Sequence, residues 1–277
     1  MNALEIQNLC KAYPGFVLDK LNLTLPSGCI LGLIGENGAG KSTTIKLILD
    51  LIRSDSGSIT VLGTEHTRLN REDIGVVLDE VGIPECLTAT QVGKVMKNLF
   101  KNWDMSRFHC LLTQFSIPDG KIFKEFSRGM KMKLGIAVAM SHGAKLLILD
   151  EATSGLDPVV RDEVVTMLSE FTREEGNSIL ISSHIVSDLE KLCDYIAFLH
   201  KGKLMLHEEK DVLLSKYGIV HCTHEQLPLL SPSAVLHRKE NPYGAEVLVL
   251  REAVPEDWKI SPVSIEELFI FMVKEAK

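Results

Sequence analysis

Gly35-Glu36-Asn37-Gly38-Ala39-Gly40-Lys41-Ser42-Thr43 is the stretch on which the fold turns. Its spacing is G-x-x-x-x-G-K-[ST], and its flanks suit that pattern. Residues 29–34 (CILGLI) form a short apolar run that reads as a buried strand. Residues 42–52 carry Ile45, Ile48, Leu49 and Ile52 at helical spacing. A strand, a glycine-rich turn and a helix make an anion cradle. The glycines let successive backbone N–H groups point inward, and the helix N-terminus adds partial positive charge. In such a cradle Lys41 reaches the β- and γ-phosphates of a nucleotide, and the Ser42 hydroxyl reaches Mg²⁺. Taken alone, a plain glycine turn between strand and helix also fits, so the rest of the chain is the test.

Upstream, residues 4–9 and 16–25 read as strands separated by a Pro14-Gly15 turn. In the second, Leu21, Leu23 and Leu25 alternate with Lys20, Asn22 and Thr24, as in a half-buried antiparallel strand. Downstream, a polar turn at 54–58 leads to a strand at 59–62, and 74–78 is a further apolar run. Residues 84–143 change character: 91–100 and 107–115 have helical spacing, which predicts an inserted helical subdomain. Residues 146–149 are continuously apolar and end in Asp150-Glu151, as expected of a parallel strand buried on both faces. Asp157-Pro158 opens a helix whose apolar face is Val160, Val164, Met167, Leu168 and Phe171. The next strand, 179–181, leads into Ser182-Ser183-His184. Strands alternating with helices predict a doubly wound α/β sheet, whose ligands bind beyond the strand ends. Strands at 195–200 and 203–207 close around Lys201-Gly202.

After about residue 210 the texture changes again. Prolines, among them Pro228, Pro232, Pro242 and Pro255, punctuate it, 245–251 reads as a strand, and Ser264-Ile-Glu-Glu267 is a capping box with Val263 and Leu268 placed as a staple. The expected organisation is a main domain over 1–215, with the helical subdomain at 84–143, and a small α+β accessory region over 216–277.

A chain of 277 residues with a net charge of −7 has no basic excess with which to displace counterions, which argues against nucleic acid as partner. The six cysteines are scattered without a C-x-x-C pair, as suits reduced thiols. No run reaches the roughly 18 apolar residues of a membrane helix, and no secretion signal is expected at the N-terminus.

A phosphate loop needs a second metal anchor and a group to activate water. Asp150, at a buried strand end, suits the first role, and Glu151 is placed to act as general base. With these residues in view the chain resembles the nucleotide-binding subunits of ABC transporters over roughly residues 3–215, in the family's order. Tyr13 stands where the family has an aromatic that stacks on adenine. Residues 35–43 resemble Walker A, with Gly35, Asn37, Gly38, Gly40, Lys41, Ser42 and Thr43 binding ATP. Residues 146–151 resemble Walker B with its catalytic Glu151, Asp157 the D-loop aspartate, and His184 the switch histidine. Ser127, Arg128, Gly129 and Met130 occupy the signature position, which contacts the ATP of a partner subunit. The resemblance implies a P-loop NTPase (RecA-like) core with an antiparallel β subdomain. It also implies ATP and Mg²⁺, the metal held by Ser42, Asp79 and Asp150. The implied partners are a second nucleotide-binding subunit, identical or a close paralogue, and transmembrane permease subunits at the cytoplasmic face of a bacterial membrane.

Two positions depart from the family pattern. Arg128 and Met130 replace a glycine and a glutamine, and Arg128 either adds charge there or faces solvent, with solvent the expectation. Asp79 replaces a glutamine. It can serve Mg²⁺ as a hard oxygen ligand, but a carboxylate near triphosphate is repulsive without the metal. Val77-Leu-Asp-Glu80, Asn102-Trp-Asp104 and Ser127-Arg-Gly-Met-Lys131 resemble the subgroup serving bacterial ABC-2-type exporters of drugs and of antimicrobial or toxin peptides, such as phenol-soluble modulins. A soluble ABC-type ATPase that remodels nucleic acid or ribosomes is the alternative, but this chain has neither a second cassette nor a long coiled-coil insertion. A GTPase or small-molecule kinase would have no use for Ser127-Arg-Gly129. His221-Cys222-Thr223-His224 suggests metal, yet its spacing fits no full ligand set.

Overall fold

The computed structural model describes residues 1–68 and 70–275. In chain order, β1 (Asn2–Tyr13), β2 (Phe16–Pro26) and β3 (Ile30–Ile34) precede α1 (Lys41–Ile48). Then follow β4 (Ser56–Val61), β5 (Thr64–Glu65), β6 (Ile74–Val77), α2 (Ala89–Leu99), α3 (Met105–Gln114) and α4 (Arg128–Met140). Next come β7 (Leu146–Asp150), α5 (Pro158–Phe171), β8 (Ser178–Ser183), α6 (Val186–Leu192), β9 (Tyr195–His200), β10 (Lys203–Glu209) and α7 (Lys210–Lys216). The last elements are β11 (Tyr217–Cys222), β12 (Val235–Asn241), β13 (Gly244–Leu250), β14 (Ile260–Ser261) and α8 (Ile265–Glu275).

The central sheet has the order β10-β9-β3-β8-β7-β6, parallel except for the antiparallel edge strand β10. Period-two alternation splits its side chains between two cores. Leu31, Leu33, Leu146, Ile148 and Leu180 pack with the antiparallel sheet β2-β1-β4-β5 and with Ile45 and Ile48 of α1. Leu147, Leu149, Ile179 and Ile181 face the opposite way, onto α4, α5 and α6. That double burial is why these strands read as unbroken apolar runs. Residues 84–143 form the helices α2, α3 and α4 with connecting turns, beside the sheet edge at β6.

Several elements differ from their expected bounds. The β1–β2 hairpin is longer than the two apolar runs and closes at Tyr13 opposite Phe16, because its polar tip pairs without alternation. Within β2 the buried leucines step from Leu18 to Leu21 across Lys20, whose φ of 46° re-aims the strand. α1 ends at Ile48 rather than 52, since Asp50 takes a left-handed φ of 54° and stops the helix.

Beyond α7 lies a sheet of order β12-β13-β11-β14, only one strand of which was legible as such. Val220, Val247 and Val249 make its own small core, while Ile219 and Leu248 join the larger one. The capping box forms: Ser264 N donates to Glu267 Oε2 at 2.9 Å, and Glu267 N donates to Ser264 Oγ at 3.2 Å. α8 then packs back on the central body, with Phe269 edge-on to Phe198 at 5.2 Å and Ile265 N donating to Glu190 Oε2 at 3.2 Å. Among the described residues no helix is long and apolar enough to cross a membrane.

Candidate functional site

The loop between β3 and α1 is shaped by what its glycines omit. A Cβ on Gly35 would lie 2.6 Å from the Leu199 carbonyl oxygen. Gly40 has a φ of 112°, and a Cβ there would lie 2.9 Å from Phe16 Cζ. Only glycine lets the loop lie this close to β9 and β2 while starting α1. Beside it opens a cleft of about 420 Å³, lined by the loop from Glu36 to Thr43 except Ala39, and by Phe16, Asp79, Asp150 and Glu151. Lys41 is buried, 5% exposed, and its ammonium donates to the Gly35 carbonyl at 2.7 Å.

The far wall comes from the C-terminal ends of β7 and β8. Asp150 is buried and accepts a hydrogen bond from Ser182 Oγ at 2.5 Å. Glu151 N donates to the Ser182 carbonyl and hydroxyl oxygens at 3.1 and 3.2 Å. Glu151 holds a left-handed φ of 55°, a strain of about 1–3 kcal/mol for a residue with a Cβ, typical of functional turns. Its carboxylate then reaches both ways, with Oε1 3.1 Å from Lys41 Nζ and Oε2 2.7 Å from His184 Nδ1. A carboxylate linked to a ring nitrogen on one side and a buried ammonium on the other is oriented to take a proton.

Ser127 caps α4, its hydroxyl accepting from Met130 N at 3.2 Å, and Gly129 lies against Val160 of α5. Asp157 caps α5, accepting from Val159 N and Val160 N at 3.2 and 3.1 Å. Arg128 is exposed to solvent, as expected, and in addition donates from Nη2 to Asp79 Oδ1 at 2.7 Å. The carboxylate at the cleft wall recruits it, so the two departures from the family pattern are partners.

The structure therefore brings the phosphate loop, Asp79, Asp150, Glu151 and His184 together at one edge of the parallel sheet. It does not bring Tyr13 to the cleft: Tyr13 sits at the hairpin tip with the Lys11 ammonium over its ring at 5.5 Å, and Phe16, across the hairpin, lines the wall instead. Ser182, which bonds to both acidic residues, belongs to the site although no motif includes it. Its signal is the Ser182-Ser183-His184 strand end, where a hydroxyl faces the neighbouring strand's carboxylate. His221 and Cys222 point to opposite faces of β11, and His224 Nε2 is bonded to the Asn241 carbonyl at 2.9 Å.

Ser42, Asp79 and Asp150 are hard oxygen donors on one cleft, a set that fits Mg²⁺. Among the described residues no three His, Cys, Asp or Glu side chains converge into a metal cage. Mg²⁺ bound with a nucleotide needs none, since phosphate oxygens and water complete its octahedron.

A family model described as ABC transporter matches residues 18–154. The lantibiotic transport ATP-binding protein SrtF of Streptococcus pyogenes is 40% identical over 211 residues, covering 75% of this chain and 91% of that protein. The ABC transporter ATP-binding protein YtrB of Bacillus subtilis (strain 168) is 30% identical over 282 residues, 96% of this chain and 97% of its own. A solved structure of the ATP-binding subunit of an ABC transporter matches with a TM-score of 0.68 at 27% identity, over 76% of this chain and 90% of that one.

Proposed function

Since this chain belongs to the ABC transporter family of ATP-binding proteins, we propose that it is the ATPase subunit of an exporter for an amphipathic peptide or drug. Binding and hydrolysing ATP is the family activity. The likeness to a lantibiotic transport protein supports the substrate class, and the transmembrane path belongs to separate permease subunits. The chain lies at the cytoplasmic face of the membrane, and it closes head to tail with a second nucleotide-binding subunit, a copy of itself or a close paralogue. Each ATP is then held between one subunit's phosphate loop and the other's Ser127, Gly129 and Met130, with Asp157 at the same seam. Within this reading residues 1–215 are the ATPase domain, the helical subdomain meets the permease, and 216–277 brace the body through α8.

The observation that carries the ATPase chemistry is the double contact of Glu151 with Lys41 and His184. Lys41 and the loop N–H groups bind the β- and γ-phosphates. Ser42, Asp150 and Asp79 face the metal side. Mg²⁺, when bound, supplies positive charge that offsets the phosphates. Glu151 takes a proton from water as its oxygen bonds to the γ-phosphorus and the bond to the ADP oxygen breaks. His184 holds Glu151 in place and contacts the γ-phosphate. The net charge of −7 leaves the nucleic-acid alternative without support.

Purification of the tagged chain from detergent-extracted host membranes tests the exporter reading. A stoichiometric polytopic membrane protein should accompany it, and ATPase activity should rise more steeply than linearly with subunit concentration. Recovery in the soluble fraction without such a partner, with ATPase activity intact, would leave an ATPase that is not a transporter subunit.

A further inference from the structure

Asp79 and Arg128 lie 49 positions apart, and Arg128 Nη2 donates to Asp79 Oδ1 at 2.7 Å. Asp79 lines the cleft that holds Lys41, so its carboxylate faces whatever anion that cleft takes. The other cations nearby are engaged elsewhere: Lys41 pairs with Glu151, and Lys131 sits over the Phe123 ring at 5.1 Å. Arg128 is also held from its other side. Gly155 has a φ of 67°, and a Cβ built on it would lie 2.9 Å from Arg128 Nη1 and 3.1 Å from Cζ. The guanidinium thus rests on the bare backbone of Gly155, with its own backbone fixed at the capped start of α4. One side chain links the cleft wall, the first turn of α4 and the turn before α5.

We infer that Arg128 is a positioning residue for Asp79, supplying the counter-charge that lets a carboxylate stand beside a nucleotide's phosphates when no divalent cation is bound. The inference rests on the reading of the cleft as the ATP site. A lone carboxylate there repels a triphosphate, whereas the ion pair presents a wall of no net charge. When Mg²⁺ is present the carboxylate has a second counter-charge, and its need for Arg128 falls. The pair is half-exposed, 52% and 56%, and a pair so placed is worth up to about fivefold in an equilibrium constant.

The test is a double-mutant cycle on the full chain, with binding of a fluorescent ATP analogue measured in EDTA and again in excess Mg²⁺. In EDTA, Arg128→Ala should weaken binding about threefold to fivefold. Asp79→Asn should bind at least as well as the unaltered chain, and adding Arg128→Ala to Asp79→Asn should change little. In Mg²⁺, or at high ionic strength, the penalty of Arg128→Ala alone should shrink. A role confined to stability would give the same factor in both backgrounds. Equal factors in EDTA with and without Asp79, or no dependence on Mg²⁺, would overturn the inference. Lys41→Ala separates the two levels: binding should be lost there, and binding that persists removes the ATP-site reading itself.

Discussion

Glu151→Gln separates two roles that one carboxylate fills, and their sizes differ. Lys41 and Glu151 form a nearly buried ion pair, 5% and 13% exposed, at 3.1 Å. With an effective dielectric constant of about 20, Coulomb attraction at that separation is about 5 kcal/mol. Removing one member of a buried pair leaves about 3–5 kcal/mol uncompensated. Lys41 keeps its bonds to the Gly35 and Glu36 carbonyls, so about 3 kcal/mol is the expected loss without nucleotide. For a protein of this size that lowers the melting temperature by about 6–12 °C. A bound triphosphate returns the counter-charge, so the deficit should close at saturating ATP. The ATP-induced rise in melting temperature should then exceed that of the unaltered chain by the same amount, and ATP affinity should increase up to about a hundredfold. Turnover should fall by about 10²–10⁴, since the general base is gone. Thermal melts with and without MgATP, alongside a phosphate-release assay, read both effects. Melting like that of the unaltered chain in the absence of nucleotide would refute the role of the pair. Undiminished turnover would remove Glu151 as base.

Two further outcomes follow from the same geometry. Ser182→Ala leaves buried Asp150 one hydrogen bond short and frees Glu151 N from its side-chain partner; it should cost about 1–3 kcal/mol and lower kcat more than it raises KM, and an unchanged kcat would deny Ser182 its positioning role. Burial pushes the His142 ring below the ordinary histidine value of 6.5, outweighing its bond to the Glu72 carbonyl. The unfolded chain therefore binds a proton near pH 6 that the folded chain does not. Stability is full above about pH 6.5 and declines as pH drops through it. The urea midpoint should be lower at pH 5.5 than at 7.5, and His142→Gln should narrow that gap.

Much of the site was legible because its signals are local. The phosphate loop declares itself through glycine spacing and a lysine within nine residues. Asp157, Ser127 and Ser264 cap helices using partners no more than three residues away. The hidden parts depend on distant neighbours. β11 and β12 have too mixed a composition to read as strands until β13 pairs with both. Phe16 rather than Tyr13 lines the cleft because the folded hairpin lays the Phe16 ring against Gly40, a contact that no local pattern shows.

The sequence by itself determined the class of fold, the nucleotide cradle and the acidic pair at the end of β7, since each follows from spacing and burial along a few consecutive residues. Only the tertiary structure decided which charges neutralise which. Lys41 meets Glu151 across the sheet edge, Ser182 meets Asp150 from the next strand, and Arg128 meets Asp79 across the gap between α4 and β6. Coulomb energy depends on distance in space, and separation along a chain says nothing of that until the chain has folded.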